Sequence, residues 1–514
     1  MLRLISTVVG SSKPLTRWAP LRLQANAKLP VTLTRPPTRP VRLFASFIGN
    51  DDNVRYSRLE PRIERKLGEY EDFFFETGRD KGWAQIMMLV SVQSEKELSS
   101  ENISRAFANL QRRHAALRMA VILKDGKNHF AEVPDAPDLE ILQTSDSKAI
   151  MASEEQTGFD FGQLLWRCKI LQPEKSEQGF LYPFIFVIQA CLTDGTAIHS
   201  GLYPSLQDYL EASFEQKEDL DIESLPLLPP REHLLDQFES ILDQEGAGQG
   251  QHTQIENKIN QAALAAKFCE LHKPSNPQNC SGVVDFVFDQ KQVSQLERAV
   301  AQQNVSMNSA CAAAHAMAVY MFLTDLGADL GTMSLPSLYV VELRRYATPR
   351  FHATHSGAYV ALAINNIKLN AEMVASENRS GVLWKLAASI KKETRERLAE
   401  NEPLFEVKAF LGDYKRFQSD RNAYYRECDP CPELFYTSNL GHIPVNCGQG
   451  KVTIKKIQLL KGAREPAAFG HNITSLNGQL QWEISYNKTI VSDELAETYL
   501  SLVKGEFERF LIEQ

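Results

Sequence analysis

The sequence predicts a mixed α/β protein. Apolar runs of strand length alternate with amphipathic stretches of helix length throughout the chain beyond residue 50. The run from Leu181 to Ile188 is apolar almost without interruption, as a strand covered on both faces requires. The 514 residues, 43% of them hydrophobic, suffice for more than one buried core.

The elements follow in order. Residues 99–118 read as a helix, with Ile103, Phe107, Leu110, His114 and Leu117 on one face, Ser99 or Ser100 as cap and Glu101 in the first turn. Met119–Leu123 reads as a strand that turns at Asp125-Gly126. Strand 181–190 ends in a turn at Thr193-Asp194-Gly195, and a helix runs from Thr196 to about Phe214. Residues 215–232, acidic and then Pro-rich, form a crossing segment, and Gly246–Gly250 is the linker candidate. Beyond it the pattern gives helix 254–271, strand 282–289, helix 291–303 and an Ala-rich helix from Asn308. Strands near 337–343 and 358–367, helix 380–399, strands near 434–438, 451–459 and 479–486, and helix 492–511 complete the chain. No internal repeat of 20–50 residues is present. The expected division is 1–46, 47–245 and 246–514.

Charge is unevenly distributed. Residues 1–50 hold eight basic side chains and no acid; removing those eight leaves 48 basic against 64 acidic residues, so the body is strongly acidic and nucleic acid is an unfavourable partner. The Arg-rich, acid-free start reads as a mitochondrial presequence with a processing site near Arg42–Ser46, and its prolines (Pro30, Pro36, Pro37, Pro40) oppose a folded element. The matrix is the expected location, a disordered cytosolic tail the alternative. No apolar run reaches the length of a membrane span. A reducing matrix would keep the eight cysteines as thiols.

The sharpest motif is Gln-Ala-Cys-Leu-Thr-Asp-Gly at 189–195. It resembles His-His-x-x-x-Asp-Gly, the signature of the CoA-dependent acyltransferase superfamily, with Gln189 and Ala190 in place of both histidines. Other pieces fall in family order: Gln-Arg-Arg-His-Ala-Ala-Leu-Arg at 111–118, Leu-Leu-Trp-Arg at 164–167, Val-Glu-Leu-Arg-Arg at 341–345, Gly-Ala-Tyr at 357–359 and Thr-Ser-Asn-Leu-Gly at 437–441. They resemble segments of condensation-domain and alcohol-acetyltransferase-like proteins. The resemblance implies two chloramphenicol-acetyltransferase-like lobes, mixed sheets with helices, meeting in a V around a central tunnel.

The resemblance also assigns roles. The second histidine is a general base for an alcohol or amine attacking an acyl thioester, and Ala190 cannot supply it. Asp194 is expected in a structural ion pair with Arg118 or Arg344, and Gly195 in a tight turn or a close helix approach. Substitute-base candidates are His199, His352 and His355. Ser438, Asn439 and Gly441 resemble the turn facing the thioester, either a remnant oxyanion site or only a turn. Cys428, Cys431, His442 and Cys447 are residue types of a zinc site at a spacing that fits no standard finger, so non-functional thiols are the favoured reading. No cofactor is required; an acyl-CoA or other acyl thioester is the implied ligand, a mitochondrial complex the other partner. The leading expectation is a non-catalytic binding or structural subunit. The alternative is an acyl-CoA-dependent O- or N-acyltransferase using a substitute base.

Overall fold

The computed structural model describes residues 62–133, 139–217, 220–239, 262–428, 433–445, 450–461 and 467–511. The expected presequence, its expected processing site and the linker candidate at 246–250 lie outside the described residues. The described strands are β1 (Arg62–Lys66), β2 (Gln85–Ser94), β3 (Met119–Lys124), β4 (Lys127–Glu132), β5 (Leu139–Ile141), β6 (Trp166–Ile170), β7 (Glu174–Ser176), β8 (Gly179–Gln189), β9 (Ser281–Phe288), β10 (Met333–Glu342), β11 (Val360–Leu369), β12 (Glu433–His442), β13 (Val452–Lys461), β14 (Ala467–Leu476) and β15 (Gln479–Asn487). Two large mixed sheets form. One has the order β13-β2-β8-β6-β5, with β7 also paired to β8; the other has the order β11-β10-β12-β14-β15-β9. Each carries helices and its own apolar core, as the sequence predicts.

Local chemistry explains the first sheet's elements. Ser99 Oγ accepts from Asn102 N at 3.1 Å and caps helix Ser100–Arg113, which buries Ile103, Phe107 and Leu110. The helix ends earlier than its apolar period suggests. His114 adopts an extended conformation and a short 3-10 turn covers Ala115–Arg118. Two tertiary contacts account for the break: the His114 ring lies 3.2 Å from Ser205 Oγ, and the next amide, Ala115 N, donates to Leu225 O at 3.1 Å. Asp125 and Gly126, both at positive φ, turn β3 into β4. β8 is the sheet's buried centre, with Phe184, Phe186 and Trp166 packed around Phe107. Trp166 Nε1 donates to Leu117 O at 2.7 Å. Each large apolar side chain buried here contributes about 1.5–3 kcal/mol.

In the second core the Ala-rich helix Met307–Asp325 and helices Arg379–Ala399 and Asp493–Glu508 cover one face of the sheet. Several elements escaped the sequence pattern, among them β2, β14 and helices Glu69–Lys81 and Glu402–Ser419. Helix Glu402–Ser419 packs on helix Glu69–Lys81 through Tyr70–Phe410 and Phe73–Phe417 edge contacts. β13 was legible as a strand, but it lies far along the chain from the sheet it joins, pairing antiparallel to β2 from Val452↔Ser94 to Lys461↔Ile86.

Candidate functional site

The motif turn sits where the two sheets meet. β8 ends at Gln189, and Ala190 follows at once, its N–H donating to Ala84 O at 2.8 Å. The Gln189 side chain turns back into the first lobe: Nε2 donates to Phe74 O at 2.9 Å. Gly78 permits this, since a Cβ there would lie 2.0 Å from Gln189 Nε2. The Cys191 thiol is buried and burial raises its pKa well above the ordinary value.

Asp194 is the organising residue. Its Oδ1 accepts from Ala197 N at 2.9 Å and so caps the next helix. Its Oδ2 accepts from Arg344 Nη1 at 2.8 Å and from Tyr359 N at 2.9 Å. Both partners of the ion pair are almost fully buried, with side-chain exposures of 3% for Asp194 and 1% for Arg344. Arg344 also donates to His355 O at 2.8 Å and contacts Glu342 at 3.2 Å. One carboxylate thereby ties the motif turn to the segments around 342–345 and 355–359. Arg118, the other candidate partner, is engaged elsewhere: it holds Glu132 at 2.5 Å and donates to Gln111 O. Its place beside the β3–β4 hairpin puts it with that hairpin's carboxylate.

Gly195 completes the junction. A Cβ here would meet Leu440 Cδ2 at 2.4 Å, so the leucine between Asn439 and Gly441 rests on the glycine. The segment expected as a turn is instead strand: Ser438–Gly441 lies inside β12, with an irregularity between Asn439 and Gly441 in its pairing to β14. Gly441 has φ +68°, its N–H donates to Asn439 Oδ1 at 3.1 Å, and Asn439 Nδ2 donates to Asn308 Oδ1 at 3.2 Å. The bulge aims Leu440 at Gly195. Ser438 is buried within the strand.

The three histidines do not converge. His199 lies in a π-helical turn, Ile198–Leu202, buried, its Nδ1 without a partner and its pKa pushed down to about 3 by burial. His352 is exposed and bonds Thr354 Oγ1 at 2.7 Å. His355 is half-buried, its pKa lowered by burial and then by His352, whose ring lies 5.9 Å away. A histidine outside those candidates also lies beside the motif turn. His114, with Thr193 and Ser356, lines a cavity of about 10 Å³, room for about one water. Its pKa is depressed to about 4, first by burial. The sequence contained its signal, the Arg-His-Ala-Ala-Leu-Arg segment.

Of the candidate metal donors, Cys431 and Cys447 lie outside the described residues. Cys428 follows helix Arg421–Glu427, its thiol pushed up to about 12 by burial and then by Glu433. His442 is exposed at the end of β12. Among the described residues no three His, Cys, Asp or Glu side chains gather as metal ligands would.

No protein-family model and no curated protein matches this chain. Solved structures do. Polyketide synthase associated protein 5 from Mycobacterium tuberculosis superposes with a TM-score of 0.58 at 14% identity, over 86% of this chain and 98% of that one. The trichothecene 15-O-acetyltransferase of Fusarium sporotrichioides gives 0.62 at 12% identity, over 87% and 95%. The first condensation domain of the CDA synthetase gives 0.59 at 11% identity, over 88% and 96%. The fold is that of condensation domains and acyltransferases. Identities this low establish architecture and leave the chemistry to the site itself.

Proposed function

We propose that the chain is a non-catalytic protein on the acyltransferase and condensation-domain fold, acting in mitochondria as a binding or structural subunit. Its partner would be an acyl thioester such as an acyl-CoA, or a mitochondrial protein complex. The observation that carries this reading is Ala190, which stands directly after β8 where the resembled motif holds its base. A methyl group takes no proton, and the roughly 10²–10⁴-fold contribution of a positioned base is lost. Asp194 offers no replacement, because Arg344, Tyr359 N and Ala197 N already engage both carboxylate oxygens. Nor is His199 suited: an imidazole whose pKa lies near 3 is a weak base at neutral pH.

The test is release of free CoA by the wild-type protein from a panel of acyl-CoAs with alcohol and amine acceptors, alongside calorimetric binding of the same thioesters. Binding without turnover supports a ligand-binding role. Absence of both supports a structural one. Turnover abolished by His114→Ala, His199→Ala, His352→Ala or His355→Ala overturns the proposal and names the base of an active acyltransferase. N-terminal sequencing of the endogenous protein tests the mitochondrial part; an intact Met1 in a cytosolic fraction refutes it.

A further inference from the structure

Between β12 and β14 the chain leaves the second sheet, runs along the edge of the first as β13, and returns. One side of β13 pairs with β2. On its other side, four backbone groups find side-chain partners. Ile454 N donates to Gln207 Oε1 at 2.9 Å, and Ile454 O accepts from Asn477 Nδ2 at 3.2 Å. Leu459 N donates to Glu483 Oε2 at 2.8 Å, and Leu459 O accepts from Asn472 Nδ2 at 3.3 Å. Lys456 adds an ion pair to Asp285 at 3.3 Å. Gln207 belongs to helix Tyr203–Phe214, which packs in the first core, whereas Asn472, Asn477, Glu483 and Asp285 come from β14, the β14–β15 turn, β15 and β9, so side chains of the second sheet also grip a strand that belongs to the first.

Two of the gripping residues are coupled. Asn472 and Glu483 face each other directly in the β14–β15 ladder, so their side chains share a face with Cβ atoms about 5 Å apart. Each is 1% exposed. Glu483 Oε1 accepts from Gln481 Nε2 at 2.9 Å, while Asn472 Oδ1 is buried with no partner. An orphaned acceptor thus sits beside a carboxyl group that, when neutral, has one proton to donate.

We propose that Glu483 is a neutral carboxylic acid in the folded protein, that its proton is donated to Asn472 Oδ1, and that this proton locks β13 across both sheets as a pH-sensitive strap. The charged and titratable groups facing it are Asp285 of β9, Lys456 of β13 and Tyr203 of helix Tyr203–Phe214. Burial, then Asp285, raises the carboxyl to about 8, against the opposing pull of the Leu459 N–H and Lys456. When β13 lifts away, water reaches Glu483 and its pKa returns towards the ordinary 4.5. The lock is fully present below about 4.5, weakens as pH rises, and adds no further sensitivity above about 8. Neutral pH falls within that window.

Hydrogen exchange of the β13 amides tests this on the full-length protein, corrected for the intrinsic pH dependence of exchange and referenced to helix Met307–Asp325. Between pH 7 and 8 the β13 opening equilibrium should rise by up to about tenfold in the wild type, because opening releases one proton. In Glu483→Gln, which keeps the shape and cannot ionise, it should stay flat. A wild-type profile that is flat, or one that Glu483→Gln reproduces, overturns the proposal. Should Glu483→Gln fail to fold, Asn472→Leu removes the proton's acceptor and should move the upper end of the window to lower pH; an unmoved limit overturns it.

Discussion

Acid should unfold this protein through four histidines, and His315 allows the effect to be isolated. His114, His199, His315 and His471 are all buried, and burial is the first cause of each depressed pKa: about 4, about 3, about 3 and well below 6.5. His471 Nδ1 accepts from Trp482 Nε1 at 3.0 Å, which leaves Nε2–H to donate to Tyr499 Oη at 3.1 Å, so the ring is neutral. His315 packs against it with ring centroids 4.2 Å apart and the rings tilted by 49°, and neither of its own ring nitrogens has a partner. A folded pKa below the unfolded 6.5 means stability is complete above 6.5 and is lost as pH falls towards the folded value. Each unit below 6.5 costs about 1.4 kcal/mol per group, hence about 2 kcal/mol each at pH 5 for His114, His199 and His315 and about 6 kcal/mol for those three, with His471 acting in the same direction. Glu483 works in the opposite sense and restores about 3 kcal/mol between pH 7 and 5. The net loss, about 3 kcal/mol before His471 adds to it, is a large fraction of the whole stability of many domains. Urea melts at pH 7.5 and 5 measure it. His315→Phe gives up no hydrogen bond, so it should match the wild type at pH 7.5 and exceed it by about 2 kcal/mol at pH 5. A variant that loses stability in parallel with the wild type would refute the reasoning.

Asp194→Ala should destabilise by about 3–5 kcal/mol, the cost of stranding buried Arg344, and melts within a few tenths of the wild type would contradict the structural role of this pair. Gly195→Ala should cost about 1–3 kcal/mol by crowding Leu440, and Leu440→Ala in the same chain should relieve it; additive effects in the double-mutant cycle would exclude the contact. Arg231→Leu should also destabilise by about 3–5 kcal/mol. Its guanidinium is fully buried, stacks 3.4 Å from the Tyr70 ring centroid and pairs with Glu406 at 3.2 Å, so the change strands a charge. A melt unchanged from the wild type would show that Glu406 finds water.

The sequence makes the fold legible wherever periodicity and burial agree. β8 and β9 are apolar on the faces they bury, β15 is apolar on one of its two buried faces, and helix Ser100–Arg113 announces its stripe and cap. β14 does not, because Gly470, His471 and Asn472 look like a loop while the first is overlain by Tyr436 and the other two are buried. Helix Glu402–Ser419 is hidden by Pro403 and Gly412 and by its charged residues; its place is set by aromatic contacts to a distant helix. At the site, Asp194 and Arg344 each sit in a recognisable short segment, so their pairing could be anticipated. Leu440 on Gly195 could not, since a contact between residues so far apart in sequence leaves no spacing to read. Nor does any local pattern say which sheet β13 joins.

The position of β13 also constrains how the chain is made. During synthesis the first sheet emerges with β2 unpaired along one side, and its missing neighbour is not translated until residues 452–461. Until then β2 presents a row of free amides and carbonyls to any extended peptide nearby, a surface that invites pairing with another copy. The first half is therefore a poor candidate for independent expression, and its maturation in the cell waits on nearly the last tenth of the chain.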